Sequence, residues 1–255
     1  MSILAYLEPR MPAAEANHPE SDRAEHPTEN PATRYHRVLG RIAAACQASG
    51  RGIDQVRLLA VSKTQPASAI AALARLGQRE FGENRLDEAQ LKMDALQTHS
   101  LTWHFIGPIQ SNKTRPIAER FDWVQSVDRP KIARRLAEQR PGHLPPLNVL
   151  IQVNADDEPQ KAGCAPDQVE ALAALIAGLA QLRLRGLMAI PAPRDDESGQ
   201  LAVFERIHHW YQALKARGHD IDTLSIGMSG DLEAAVNSGS TMVRIGTALF
   251  GERLE

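Results

Sequence analysis

Lys63 follows a short aliphatic run, Val56 to Val61, and stands within Ser62-Lys63-Thr64. A lysine just past the end of a buried strand loses part of its hydration, which favours the neutral amine. A neutral amine is the nucleophile that condenses with an aldehyde to give a Schiff base. A solvated loop lysine is the plain alternative. Late in the chain two further segments carry donors suited to an anion, Ser229-Gly230 and Gly246-Thr247. Glycine lets backbone N–H groups come close to an oxyanion, and the hydroxyls of Ser229 and Thr247 add donors. Taken singly, Ser229 reads equally well as a helix N-cap and Gly246 as a turn glycine. Arg244 sits among Met242, Val243 and Ile245. If buried there it needs a partner. That partner is a rim carboxylate such as Glu252, or the pyridine nitrogen of a pyridoxal phosphate. Because arginine does not readily release a proton, a ring nitrogen facing it stays unprotonated, which disfavours transamination.

These residues need elements to hold them. The chain from Thr33 alternates short apolar runs with amphipathic stretches. Runs without polar alternation, as in 56–61, read as strands buried on both faces. Further strands are expected at 79–81, 102–106, 123–125, 147–153, 184–189, 223–226 and 242–245. Helices are expected at 33–48, 66–76, 85–96, 112–120, 129–140, 166–180, 199–217 and 231–237, with Pro66 opening one and Gly77 stopping it. Strict β–α alternation means a parallel sheet. Eight units in this length predict a single α/β (β/α)8 TIM barrel, with an open doubly wound sheet as the alternative. In a barrel the active face is made by the loops after the strands. Lys63, Asn84, Ile106, Met228, Ser229, Gly246 and Thr247 all fall there.

Composition narrows the classes. Residues 1–32 are poor in large apolar side chains and read as a disordered N-terminal tail, leaving 33–255 as the ligand-binding barrel domain. Net charge is −2 with no basic run, which argues against nucleic acid. No apolar stretch is long enough to span a membrane, and the N-terminus does not resemble a signal peptide, so the cytoplasm is expected. The two cysteines, Cys46 and Cys164, form no CxxC pair and read as free thiols. No metal-spaced His/Cys cluster, P-loop, GxGxxG or GxSxG is present. Trp103, Phe105 and Trp123 read as core, His208-His209 as surface, and Asp195-Asp196-Glu197 as a loop entering a helix.

The segments LLAVSKT, FGEN, WHFIGPIQSNKTR, VNADDEPQKAG, GLMAIP and LSIGMSGDLEAAVNSGSTMVRIGTALFG occur in this order. Together they resemble the pyridoxal phosphate homeostasis proteins, which share the barrel of the alanine racemase N-terminal domain. The resemblance covers Thr33 to Gly251. It implies that Lys63 carries the Schiff base and that Asn84 lies near the cofactor. It implies that Ser229, Gly246 and Thr247 hold the phosphate and Arg244 faces the ring nitrogen. Ile106 and Met228 would contact the ring or its surroundings. Thr64-Gln65-Pro66 departs from the family's usual SKTKP, so a second lysine is missing there, whereas Lys161 matches a family lysine.

The resemblance implies a protein that carries and buffers pyridoxal 5′-phosphate, maintaining vitamin B6 and amino-acid homeostasis without established turnover. Pyridoxal-phosphate-dependent apoenzymes are the implied recipients, and a monomer is expected. The alternative is a racemase-like enzyme, which needs a second base on the opposite face of the cofactor. Neither Tyr6, Tyr35 nor Tyr211 falls at a strand end, and only eight residues follow Thr247, so no second base is expected. A barrel binding some other phosphorylated metabolite without a covalent link is the third reading.

Overall fold

The computed structural model describes residues 29–156, 158, 162–194 and 196–251. Tyr6, Lys161, Asp195 and Glu252 lie outside the described residues, as does the expected tail up to residue 28. The first helix, α1 (Pro31–Ala48), begins two residues before the expected Thr33 because Asn30 caps it. The Asn30 side chain accepts from the Ala32 N–H at 2.9 Å, and Pro31 occupies the first turn, where a missing N–H costs nothing. Tyr35, Val38, Ile42, Ala45 and Cys46 recur at helical spacing and are buried.

The strands are β1 (Arg57–Val61), β2 (Glu80–Glu83), β3 (Thr102–Phe105), β4 (Trp123–Val127), β5 (Leu147–Gln152), β6 (Leu182–Met188), β7 (Thr223–Ser225) and β8 (Met242–Ile245). Between them run α2 (Ala67–Arg75), α3 (Leu86–Ala95), α4 (Thr114–Arg120), α5 (Pro130–Gln139), α6 (Val169–Ala177), α7 (Glu197–Ala216) and α8 (Leu232–Asn237), with α9 (Thr247–Phe250) last. All neighbouring strands pair in parallel and the sheet closes, β1 pairing with β8 through Leu58–Val243 and Leu59–Arg244. The open-sheet alternative is thereby excluded. Closure has a direct consequence for the site: it brings the loop after β1, with Lys63, beside the loop after β8, with Gly246.

Two boundaries differ from the sequence reading in ways that bear on the site. β2 continues through Gly82 and Glu83, read as loop, because both pair with β3 (Gly82–His104, Glu83–Phe105). α9 was not anticipated: its four residues are too few to show a periodicity.

Alternation along the strands divides the core. On β8, Val243 and Ile245 join the aliphatic layer under the helices, while Met242 and Arg244 do not. Inside the barrel, Trp123, Leu150 and Met188 form a separate apolar cluster. The same interior holds buried His104, Gln125, Ser225 and Arg244. At the strands' N-terminal end, Arg57 reaches Glu80 and Thr223, and Arg185 pairs with Asp222. Both guanidiniums lie over Trp123, 4.9 and 4.6 Å from its ring centre. This face is tied together by paired charges and serves stability.

Candidate functional site

A cavity of about 500 Å³ opens at the C-terminal mouth of the barrel. Lys63, Asn84, Ile106, Met228, Ser229, Arg244, Gly246 and Thr247 all line it, together with Val61, Gly107, Pro108, Ile190 and Gly230. Residues from the ends of six strands thus converge on one concavity. Asn154 and Pro191, which also follow strands, and Met188 at the end of β6 do not line it. His104 lies within β3 and is fully buried inside the barrel.

Lys63 occupies the corner of a tight turn. The Gln65 N–H donates to the Ser62 carbonyl at 3.0 Å, and Thr64 adopts φ +64°. A positive φ at that place suits glycine or asparagine, and a β-branched residue there is strained by about 1–3 kcal/mol. The strain persists because the turn is held from both sides. Lys92 of α3, nearly fully buried, donates to the Ser62 carbonyl at 2.8 Å, to Glu83 Oε1 at 2.8 Å and to Glu88 Oε1 at 2.5 Å. The Ser62 hydroxyl donates to Glu83 Oε1 at 2.6 Å, and the Thr64 N–H to Glu88 Oε1 at 2.7 Å. Burial pushes the Glu83 carboxyl up, against the hydrogen bonds of Lys92 and Ser62. Burial opposes ionisation of Glu88 too, but Lys92 and the Thr64 N–H outweigh it and hold that carboxyl low. With its neighbours fixed, Lys63 is half-buried, and among the described residues its Nζ has no hydrogen-bond or ion-pair partner.

On the opposite rim, the loop after β7 is shaped by Gly227 and Asp231. Gly227 has φ +96°, and a Cβ there would lie 2.5 Å from that of Ala235, so only glycine fits. The Met228 N–H donates to Asp231 Oδ1 at 2.5 Å, and Asp231 is the N-cap of α8. Ser229 is therefore not the cap, and its hydroxyl has no protein partner among the described residues. Arg41 of α1 pins the loop from behind, donating to the Ser229 carbonyl at 3.0 Å while pairing with Glu233 at 2.7 Å. The Arg244 N–H bonds Gly227 O at 2.9 Å, but the next N–H in that register, on Gly246, has no partner. The same holds, among the described residues, for the N–H groups of Ser229, Gly230 and Thr247. Four unpartnered backbone donors with two hydroxyls make a cradle for an oxyanion.

Arg244 is not on the rim, where a salt bridge with Glu252 was the alternative. It is buried, and its Nη1 donates to the Ser225 carbonyl at 2.5 Å and the Ser225 hydroxyl at 2.8 Å, its Nη2 to the Ala189 carbonyl at 2.8 Å. Three of its five N–H donors are thus used inward, leaving two without a partner among the described residues on a side chain that lines the cavity. Burial, with no contacting carboxylate among the described residues, pushes the guanidinium down to about 10, Asp231 opposing it. It remains a cation at neutral pH.

Asn84 is placed by contact between two loops: a Cβ on Gly107 would lie 2.2 Å from the Asn84 carbonyl oxygen, so glycine lets the loops after β2 and β3 touch. The sequence reading missed Lys92, Glu83 and Glu88 as a group, and Gln125 and Ser225. Their only signal is a charged or polar residue at an otherwise apolar position, which does not say what it meets. Trp103, Phe105 and Trp123 are buried as expected, His209 is exposed, and Asp196 caps α7 through the Gly199 N–H at 2.6 Å. His208 is half-buried against Gly239 rather than free on the surface.

Two other cavities lie nearby or opposite. One of about 520 Å³ shares Asn84 and Pro108 with the site. The other, about 770 Å³, is at the far end of the barrel among Arg51, Arg57, Arg185, Lys215 and Asp222. Among the described residues no cluster suits a metal ion, and no helix is long and apolar enough to cross a membrane.

Residues 39–254 match the family described as alanine racemase, N-terminal domain. The chain is 57% identical over 217 residues to the pyridoxal phosphate homeostasis protein of Pseudomonas aeruginosa, covering 85% of this chain and 93% of that one. It is 53% identical to the protein of the same name from Escherichia coli K12, covering 85% and 94%. Among solved structures it is similar to PipY of Synechococcus elongatus with pyridoxal phosphate bound. That match has 35% identity and a TM-score of 0.72, and covers 84% of this chain and 100% of PipY.

Proposed function

Because the chain belongs to the pyridoxal phosphate homeostasis protein family, we propose that it binds pyridoxal 5′-phosphate at the barrel mouth and carries it without turnover. One observation carries the reading: an unpaired lysine Nζ, a cradle of unpartnered N–H groups and a buried arginine all face one cavity of about 500 Å³. Those donors suit a ligand with an aldehyde, a phosphate and a ring nitrogen, and the cavity is of a size usual for small cofactors. When bound, the cofactor supplies an electrophilic aldehyde on an electron-withdrawing ring.

Lys63 Nζ is the amine that holds the aldehyde carbon as a Schiff base, presented by a turn that cannot relax. Ser229, Gly246 and Thr247 donate to the phosphate. Arg244 faces the ring nitrogen as a donor only, so it leaves that nitrogen without a proton. Asn84, Ile106 and Met228 wall the ring. A racemase-like enzyme would need a second base across the ring. Among the described residues no tyrosine lines the cavity: Tyr35 is buried on α1, and the Tyr211 hydroxyl donates to Ile221 O. That arrangement favours a carrier whose recipients are pyridoxal-phosphate-dependent apoenzymes. A protein working as a monomer in the cytoplasm completes the reading, in keeping with two buried, unpaired cysteines.

The test is the absorbance spectrum of the protein with added pyridoxal phosphate, wild type beside Lys63→Ala, before and after borohydride. A near-visible band in the wild type alone, fixed by reduction as an adduct on Lys63, is expected. A wild type that takes up none defeats the proposal. Racemisation of an amino acid at enzymic rates, lost in Lys63→Ala, would defeat the carrier half of it.

A further inference from the structure

The interior polar residues form a chain along the barrel. Arg244 Nη1 lies 2.8 Å from the Ser225 hydroxyl. That hydroxyl lies 2.8 Å from Gln125 Oε1. Gln125 Nε2 lies 3.0 Å from His104 Nδ1. His104 Nε2 lies 3.2 Å from Glu80 Oε2, close in distance but bent in angle. Each of Ser225, Gln125 and His104 is buried. The chain runs from the cation beside the cavity to His104, deep in the barrel and next to Glu80.

Its direction is forced by chemistry. An arginine can only donate, so the Ser225 oxygen accepts from it and the hydroxyl proton must go onward. Gln125 must then present its oxygen to Ser225 and its amino group to His104. A second contact requires the same orientation: Gln125 Nε2 lies 3.1 Å from the Met242 sulfur, which can only accept. His104 Nδ1 is thereby an acceptor, and the imidazole proton sits on Nε2, aimed at the side of Glu80. Every donor in the chain points the same way, from Arg244 to His104, and aligned bonds of this kind polarise one another.

We infer that Ser225, Gln125 and His104 are positioning residues that hold the Arg244 guanidinium toward the cofactor cavity through a one-way hydrogen-bond chain that ends on His104. The inference rests on the cofactor reading above for what Arg244 faces. The chain satisfies a buried cation without a carboxylate beside it. A contacting carboxylate would compete with the ligand for the two remaining N–H donors and would place a negative charge against the ring. The chain instead satisfies the guanidinium with neutral acceptors, the Ser225 hydroxyl first. His104 must stay neutral for this. Its surroundings agree: burial and the Arg57 cation oppose protonation, against the pull of Glu80 and Asp122, and Trp123 stacks on it at 5.2 Å.

The test reads the imidazole directly. Full-length protein with ring-15N histidine is measured at neutral pH without pyridoxal phosphate, His104 being identified by its loss in His104→Gln. The expected result is a neutral ring with its proton on Nε2. In Ser225→Ala, a residue that does not touch His104, the Nδ1 signal should move because Gln125 is no longer oriented. Uptake of pyridoxal phosphate should weaken about tenfold in the same variant. Ser225→Thr keeps the hydroxyl and should retain the wild-type signal. A proton on Nδ1, or an imidazolium, overturns the inference from the wild type alone, whether or not a variant folds. So does a folded Ser225→Ala protein whose His104 signals stay put. Failure of the wild type to take up pyridoxal phosphate would sink the cofactor reading but leave the His104 result standing.

Discussion

Lys92 Nζ donates at 2.8 Å to the carbonyl oxygen of Ser62, so a buried ammonium grips the chain one residue before Lys63. The same nitrogen holds Glu83 and Glu88, which in turn fix the Ser62 hydroxyl and the Thr64 N–H. The site lysine therefore stands on a turn clamped by ionic hydrogen bonds, not on a free loop.

Removing the clamp should be costly. Lys92→Met leaves the fully buried Glu83 carboxylate without a cation, a change worth about 3–5 kcal/mol in comparable buried pairs. Urea unfolding of the ligand-free protein measures it. Adding Glu83→Gln to Lys92→Met should recover part of the loss, since the stranded charge is gone. A single-variant loss under about 1 kcal/mol would mean that the ammonium is not compensating Glu83.

Gly107→Ala tests the contact between the second and third loops. Its Cβ would fall 2.2 Å from the Asn84 carbonyl oxygen, a backbone atom that cannot swing aside. The expected loss is about 1–3 kcal/mol, the range for overpacking, together with weaker pyridoxal phosphate binding. Unchanged stability and binding would show that the loops separate freely.

Charge in the anion cradle should matter more than the loss of one hydroxyl. Ser229→Asp places a carboxylate against the ligand's phosphate and should weaken pyridoxal phosphate binding by well over tenfold, whereas Ser229→Ala should cost about threefold to tenfold. Asp231, not Ser229, occupies the N-cap position of α8, so neither variant should lower the melting temperature of the ligand-free protein by more than a degree or two. Equal binding by the two variants would place the phosphate elsewhere.

Ligand-free stability should fall on acidification from pH 7 to pH 5. Burial holds the His104 pKa below its ordinary 6.5, so the unfolded chain takes up a proton near pH 6.5 that the native state does not. More protons on the unfolded state mean that stability is full above that pH and declines below it, by at most about 1.4 kcal/mol per pH unit for one histidine. His208, also held low by burial, acts in the same direction. Glu80 and Glu88, held low in the native state, add losses of the same sign nearer pH 4–5, while Glu83, held high by burial, acts in the opposite sense. Denaturant midpoints at pH 7, 6 and 5 would check this, and a flat profile would contradict a neutral buried His104.

Several features were legible in the sequence because they depend on local order. Apolar runs such as 56–61 mark strands buried on both faces, and their regular alternation with helical stretches implies a parallel sheet. Lys63, Ser229, Arg244 and Gly246 stood out because each follows or ends such a run, and strand ends are where a barrel puts its site. Which strands neighbour one another is not local. Only closure, with β1 against β8, sets Lys63 beside Gly246. Likewise Lys92 reads in sequence as one more charge on an amphipathic helix, and Ser225 as a small residue at a strand end. Each gains its role from partners 30 and 19 positions away, Lys92 from the Ser62 carbonyl and Ser225 from Arg244. The sequence determined the elements and the reactive residue types, since propensity and periodicity act over a few neighbours. The tertiary structure alone decided which buried polar groups satisfy one another, because a donor and its acceptor must meet in space and nothing along the chain records that meeting.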